Sequence, residues 1–380
     1  MATMIDEVKS ASGAQTASAA SKARPILAGA TAAARLEARG HVARIVPFTH
    51  LYRHSFEIEA LNRAALDPNP AYHPSVIAAH AMASGLAPRL RLVLVHDSAG
   101  VLRGFAPLVM RRLGGAFRLA RAMLVPGVDD STPLIDAATP AAAAALVEGV
   151  AELGGARFDR VTTGGRTAMA LTMAAAGSPG MKAMATGAGD RMALDCRDQK
   201  AIKARLDTDY RKDLAAARRS LAHRFGREGM QRLTAGAEFA AGFAEFRLFL
   251  HDGARLAGLE GLARAQEDDA CLVLHRMWAG NRALGYALGL VAGRRYAGLA
   301  VGFDRSAEAP TVPPVFSVML AEALAADPSI DRATGGAAFV TPSWQAEPVA
   351  TIMVGASMQV EAERALGGLR RLMREHHLAG

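Results

Sequence analysis

The chain has 380 residues, about half of them apolar, which is enough for a buried core and long enough for two domains. Its two cysteines, Cys196 and Cys271, exclude a disulfide framework and a cysteine zinc cluster, and fit a reducing compartment. A net charge of +8 admits acidic partners, whereas an aromatic content of 5% argues against base-stacking recognition of nucleic acid.

Residues 1–40, rich in Ala, Ser, Thr and Gly, read as a flexible tail. Lys22 and Arg24 precede ILAGATAAA, a run too short, too alanine-diluted and too far from Met1 for a secretory leader. No stretch is long and apolar enough to span a bilayer. A cytoplasmic location is therefore expected. Residues 44–66 read as a strand and a helix. Pro68, Pro70 and Pro74 then force an extended segment before a helix that restarts at Ser75. His73 and His80 flank that start as turn and surface histidines, with no third ligand for a metal.

Alternation over Leu90–Val95 predicts a strand, the Asp97–Gly100 turn leads to a partner over Val101–Met110, and Gly114-Gly115 opens a third over Ala116–Leu124. Residues 125–136 read as a polar loop, with Asp129 and Asp130 in an exposed turn. A helix over Pro140–Leu153, a strand over Phe158–Thr163 and a helix over Thr167–Ala176 follow. Residues 177–189 are glycine-punctuated and read as loop, and a domain boundary falls near 190–200. Between Lys200 and Arg232 lie ten Lys and Arg against four acids. Leu206, Tyr210, Leu214, Ala217, Leu221 and Phe225 give one apolar face to a long basic helix that Gly226 ends. That helix is either a solvated linker or a rail for an acidic glycan, a phosphate or a membrane surface. A further helix covers Ala237–Leu250, another Arg255–Ala265, and Gln266–Asp269 turns into the next segment.

The most informative stretch is Cys271–Asp327. Three apolar runs, Cys271–Ala279, Ala283–Val291 and Tyr296–Phe303, are cut by Gly280-Asn281 and Gly293-Arg294-Arg295, which is a strand meander. After a proline-rich break comes a helix carrying Val315, Met319, Leu320 and Leu324. A short strand over Ile330–Thr334 is expected parallel to the third strand. A helix N-terminus beside the end of a strand favours phosphate. The two meanders superpose Gly104–Leu108 on Gly285–Gly289, which suggests an internal duplication. Thr351–Val360 reads as an edge strand and Glu361–His377 as a basic helix.

Four segments carry a resemblance to a known family. NPAYHPSVIAAH (69–80) resembles the NPFLSPEWL opening of bacterial BioF2-like or CelD-like acetyltransferases. HDSAGVLRGFAPLV (96–109) resembles their first hairpin, YRKDLAAARRSLAHRFG (210–226) their basic helix, and GNRALGYALGLVAGRRYAGLAVGFD (280–304) their acyltransferase core. The likeness covers roughly residues 45–345, and the plan is also similar to that of Fem-type aminoacyl transferases. It implies a mixed α/β fold of two GNAT-like halves related by pseudo-symmetry, at 41–195 and 236–380, joined by a basic linker helix at 196–235. It implies an acyl-CoA donor, an amine or hydroxyl acceptor on a small molecule or glycan, and a link to cellulose or exopolysaccharide production. The chain departs from that pattern: Arg305–Pro314 has no glycine, and Pro313-Pro314 removes N–H donors a pyrophosphate would use.

On this reading, backbone groups of Leu299, Ala300, Val301 and Gly302 hold the donor's arm and thioester, and N–H groups of Val315, Phe316 and Ser317 face its phosphates. Asp304 and His275 are the candidates for proton transfer, or else a turn residue and a half-buried strand residue. No metal is expected. Two other readings stay open: a non-catalytic subunit of polysaccharide machinery, and a transferase using aminoacyl-tRNA.

Overall fold

The structure, a computed structural model, describes residues 40–113, 117–250, 259–263, 271–304, 311–335, 342–357 and 360–361. The tail before residue 40, the Gly114-Gly115 and Gln266–Asp269 turns, residues 305–310 and 336–341, and the expected helix beyond Glu361 lie outside these residues.

The first half runs β1 (His41–Pro47), α1 (Ser55–Ala64), α2 (Pro74–Ala83), β2 (Leu90–Asp97), β3 (Leu102–Leu113), β4 (Phe117–Ala122), β5 (Leu134–Ile135), α3 (Ala142–Glu152), β6 (Ala156–Thr162), α4 (Arg166–Gly177) and β7 (Met181–Asp195). The second runs α5 (Gln199–Ala204), α6 (Thr208–Phe225), β8 (Glu228–Leu233), α7 (Gly236–Phe249), β9 (Leu272–Ala279), β10 (Arg282–Ala292), β11 (Arg295–Phe303), α8 (Val312–Ala326), β12 (Arg332–Gly335) and β13 (Gln345–Ala356).

All these strands belong to one mixed sheet, in the order β1-β2-β3-β4-β6-β13-β7-β12-β11-β10-β9-β8, with β5 beside β3. The order is palindromic once β1 is matched to β8, β2 to β9, β3 to β10, β4 to β11, β6 to β12 and β7 to β13. Each half therefore has an antiparallel meander, a helical crossover and one parallel pair: β4 with β6 at Ala120–Ala156 and Arg121–Arg157, and β11 with β12 from Arg295–Arg332 to Ala297–Thr334. The mixed α/β class and the internal duplication read from the sequence are both present. Gly104 and Gly285 occupy matched positions on β3 and β10, and Gly100 (φ +81°) and Gly280 (φ +61°) sit in the matched turns.

The last strand of each half crosses over. β13 lies between β6 and β7, and β7 lies between β13 and β12. Two expectations are corrected here. Residues 181–189 are part of a long central strand rather than a loop, because β13 pairs with β7 along its whole length. The segment from Thr351 is likewise central, held by β6 on one side and β7 on the other, and is no edge strand.

The basic stretch is also not one helix. Asp207 ends the first piece and caps the second, its carboxylate accepting from the Tyr210 N–H at 2.7 Å. Gly226 (φ +96°) stops α6 as expected. Residues 228–233 then form an edge strand on β9.

One hydrophobic cluster lies under α1, α2 and α7 and contains residues of both halves, among them Tyr72, Phe105, Phe246, Tyr286 and Leu299. A second packs α3 and α4 on the opposite face of the first half, and a third packs α6 and α8 on the second half. Among the described residues, no helix is long and apolar enough to cross a membrane.

Candidate active site

The expected site lies where β11 leaves β12. Among the described residues their last pair is Ala297–Thr334, while β11 continues to Phe303. Its pairing with β10 shifts register between Gly289–Gly298 and Leu288–Ala300, so Leu299 is an extra residue on β11. Such a bulge bends its strand and increases the local twist. It therefore provides a physical cause for the parting, which begins one residue earlier.

The structure brings some of the predicted residues to this place. Leu299, Ala300, Val301 and Gly302 all lie past the last β11–β12 pair. The ring of Phe303 meets that of Phe316 edge-on at 5.3 Å, which joins the end of β11 to the first turns of α8.

Other expectations shift. The helix begins at Val312, with Pro313 and Pro314 in its first turn. Val315 is already inside it, its N–H donating to the Thr311 carbonyl at 3.4 Å. Val315, Phe316 and Ser317 are buried. Of the N–H groups an α-helix leaves unpaired at its start, two are missing here because the residues are prolines. Pro313 and Pro314 themselves offer no N–H to a phosphate.

Asp304 sits at the end of β11, and its Oδ2 accepts from the Arg282 Nε at 2.7 Å. The Arg282 guanidinium also lies 5.5 Å from the centre of the Phe225 ring, which ties this carboxylate to α6. His275 is elsewhere. It stands opposite Ala287, which stands opposite Val301, so two strand spacings of about 4.8 Å separate it from β11. Its ring is buried, edge-on to Tyr296 at 5.6 Å, and its Nδ1 has no hydrogen-bond partner.

Burial, and secondarily the charge of Arg232, pulls the His275 pKa from 6.5 down to about 4. In this range the unfolded chain binds the proton and the folded one does not. The stability contributed by the neutral ring is therefore full above pH 6.5 and is lost as pH falls towards 4. At pH 5 the expected loss is about 2 kcal/mol. His275→Gln should flatten urea midpoints between pH 7 and pH 5 relative to the parent; an unchanged slope would refute the assignment.

Residues of the first half close over the parting, and the sequence did not point to them. Gly127 (φ +94°) packs on the backbone of Leu299 so tightly that a Cβ there would lie under 3.0 Å from the Leu299 carbonyl oxygen. The loop around Gly127 is fixed by buried polar groups. Asn69 exchanges hydrogen bonds with Asn62, at 2.8 and 2.9 Å, and donates to the Thr132 carbonyl at 3.0 Å. Tyr72 donates to the Ser131 carbonyl at 3.0 Å. The 69–80 motif is thus a clamp for residues 123–132.

Asp130 is buried, not exposed. It accepts from Arg191 Nη1 at 2.6 Å, and Arg191 Nη2 donates to Thr162 Oγ1 at 2.7 Å and to Glu347 at 3.0 Å. Burial opposes the charge on Arg191, but Asp130 and Glu347 outweigh it and hold the guanidinium above its ordinary pKa. Arg332 also pairs with Glu347, and Arg295 reaches Asp67 at 3.1 Å. His73 too is buried, not a surface histidine.

No protein-family model matches the chain, and no curated protein matches it. Among solved structures, it is similar to FemX, with a TM-score of 0.56 and 11% identity over 78% of this chain and 95% of that one. It also matches the C-terminal domain of a putative lysylphosphatidylglycerol synthetase from Agrobacterium fabrum (TM-score 0.47, 13% identity, 82% and 95% covered) and a tandem GNAT protein from the clavulanic acid biosynthesis pathway (0.38, 12%, 83% and 98%). The chain thus shares its overall fold with FemX.

Proposed function

We propose that the chain is a transferase of the GNAT superfamily that moves an acyl group onto an amine or hydroxyl where β11 parts from β12. The observation that carries this is the bulge at Leu299 together with a ladder that stops at Ala297–Thr334. On this reading, backbone groups of Ala300–Gly302 would hold an extended donor and the oxyanion of the tetrahedral intermediate. The acceptor nitrogen or oxygen attacks the acyl carbonyl carbon, its proton passes to a base, and the donor's thiol or hydroxyl departs. Asp304, one residue past β11, is the candidate for that base. A role in cellulose, exopolysaccharide or cell-envelope assembly belongs to the same proposal and is supported by the four sequence segments alone.

The start of α8 favours one donor over another. Two prolines and a used Val315 N–H disfavour acyl-CoA, whose pyrophosphate needs such donors. An aminoacyl ester carried on tRNA does not need them, and the shared fold with FemX supports that second reading.

Calorimetry with acetyl-CoA and salt-dependent filter retention of aminoacyl-tRNA separate the donors. Saturable binding of either, with slow release of free thiol or free amino acid, supports a transferase. Silence with both leaves a non-catalytic binding subunit. Asp304→Asn should lower donor turnover by about two orders of magnitude at an unchanged unfolding midpoint. Unchanged turnover would leave Asp304 as a partner of Arg282 only.

A further inference from the structure

We propose that His54, Glu57 and His96 form a binding site for a divalent transition-metal ion of the zinc type, on the first half and apart from the β11–β12 parting. The three side chains come from three elements. His54 is the residue before α1, Glu57 lies in the first turn of α1, and His96 is near the end of β2. One donor atom from each falls within 4.8 Å of the others.

His54 Nδ1 lies 2.7 Å from Glu57 Oε2, and His96 Nε2 lies 3.9 Å from the same oxygen. Metal–ligand bonds of about 2.0–2.2 Å in a tetrahedron place donors roughly 3.4 Å apart. The two measured gaps bracket that value, so small side-chain rotations close the set. The 3.9 Å gap is too long for a hydrogen bond. The other ring nitrogen of His96, Nδ1, is buried and has no hydrogen-bond partner. An imidazole with one orphaned nitrogen and the other poised beside a carboxylate is poorly accounted for by the protein's own contacts.

Two imidazoles and one carboxylate suit Zn²⁺, Co²⁺ or Ni²⁺ rather than Mg²⁺ or Ca²⁺, which prefer oxygen. Three ligands leave coordination positions for water or an outside oxygen. Glu57 also lines a groove of about 490 Å³ with Phe56, Leu61, Val101 and Arg103. Arg44 is the opposing group: its charge disfavours a proton on His96 and would disfavour a cation too. The pattern of the chain does not announce this set, because His96 is remote in sequence from the neighbouring His54 and Glu57.

The test uses the full chain, stripped with chelator and titrated with Zn²⁺ alone, with Co²⁺ as a spectroscopic substitute. One equivalent should bind at micromolar or lower concentration, with visible d–d bands for Co²⁺ and a raised unfolding midpoint. His96→Ala and Glu57→Gln should each weaken it at least tenfold, and Arg44→Ala should tighten it. Glu57 is exposed, so Glu57→Gln keeps the fold if His96→Ala does not. No saturable binding would overturn the proposal. So would binding that survives both variants, which would belong to another run such as Glu375-His376-His377.

Discussion

Replacing Arg191 by methionine is expected to cost about 3–5 kcal/mol of folding stability, because it strands the buried Asp130 carboxylate without a cationic partner, while Glu347 keeps Arg332. The guanidinium serves Asp130, Thr162 and Glu347 at once. Its burial removes the water that would otherwise solvate those groups once the partner is gone. Lysine is expected to fail almost as badly, since a single ammonium cannot span three acceptors in a plane. Urea midpoints decide the matter, and a loss below about 1 kcal/mol would show that the network contributes little. The consequence for function is that Asp130 sits three residues from Gly127. Loosening Arg191 should therefore disturb the loop over Leu299 and lower donor turnover in the variant that still folds.

Gly127→Ala should destabilise the chain by about 3 kcal/mol. Two effects combine. A φ of +94° is one that residues with a Cβ rarely adopt. The added methyl would also collide with backbone, the Leu299 carbonyl, which cannot swing away as a side-chain tip can. If the parting of β11 and β12 is the donor site, transfer should fall further than the loss of folded protein explains. A turnover rate per folded molecule equal to the parent would remove Gly127 from the site and weaken the proposal itself.

The second-half meander could be read from the sequence because its turns are local. Gly293 (φ +55°) and Arg294 (φ +63°) both take the left-handed conformation that a two-residue hairpin turn demands, and the apolar runs on either side are uninterrupted. The duplication was legible for the same reason, through glycines at matched positions. What could not be read depended on distant partners. β7 looks like a loop because Gly187 interrupts it. In the structure Gly187 (φ +63°) is the extra residue between Thr186 and Ala188, opposite Thr351 and Ala350, which is a bulge rather than a break. Asp130 looked like an exposed turn residue, since nothing nearby in sequence announces Arg191 sixty-one positions on. The elements around the candidate site were partly legible. The strand Leu299–Gly302 was found from its pattern, while the start of α8 was placed three residues late because prolines are tolerated within a first helical turn.

The crossing of β7 and β13 also constrains how the molecule comes into being. During synthesis β6 and β7 emerge well before β13, the strand that lies between them. Until then each presents a long, bare edge of backbone N–H and C=O groups, the kind of surface that pairs with whatever strand it meets. A chain truncated before residue 345 keeps that exposure permanently, so neither half is a unit that evolution or an experimenter can detach. The two ancestral copies, whatever each once did, now mature as a single cooperative object.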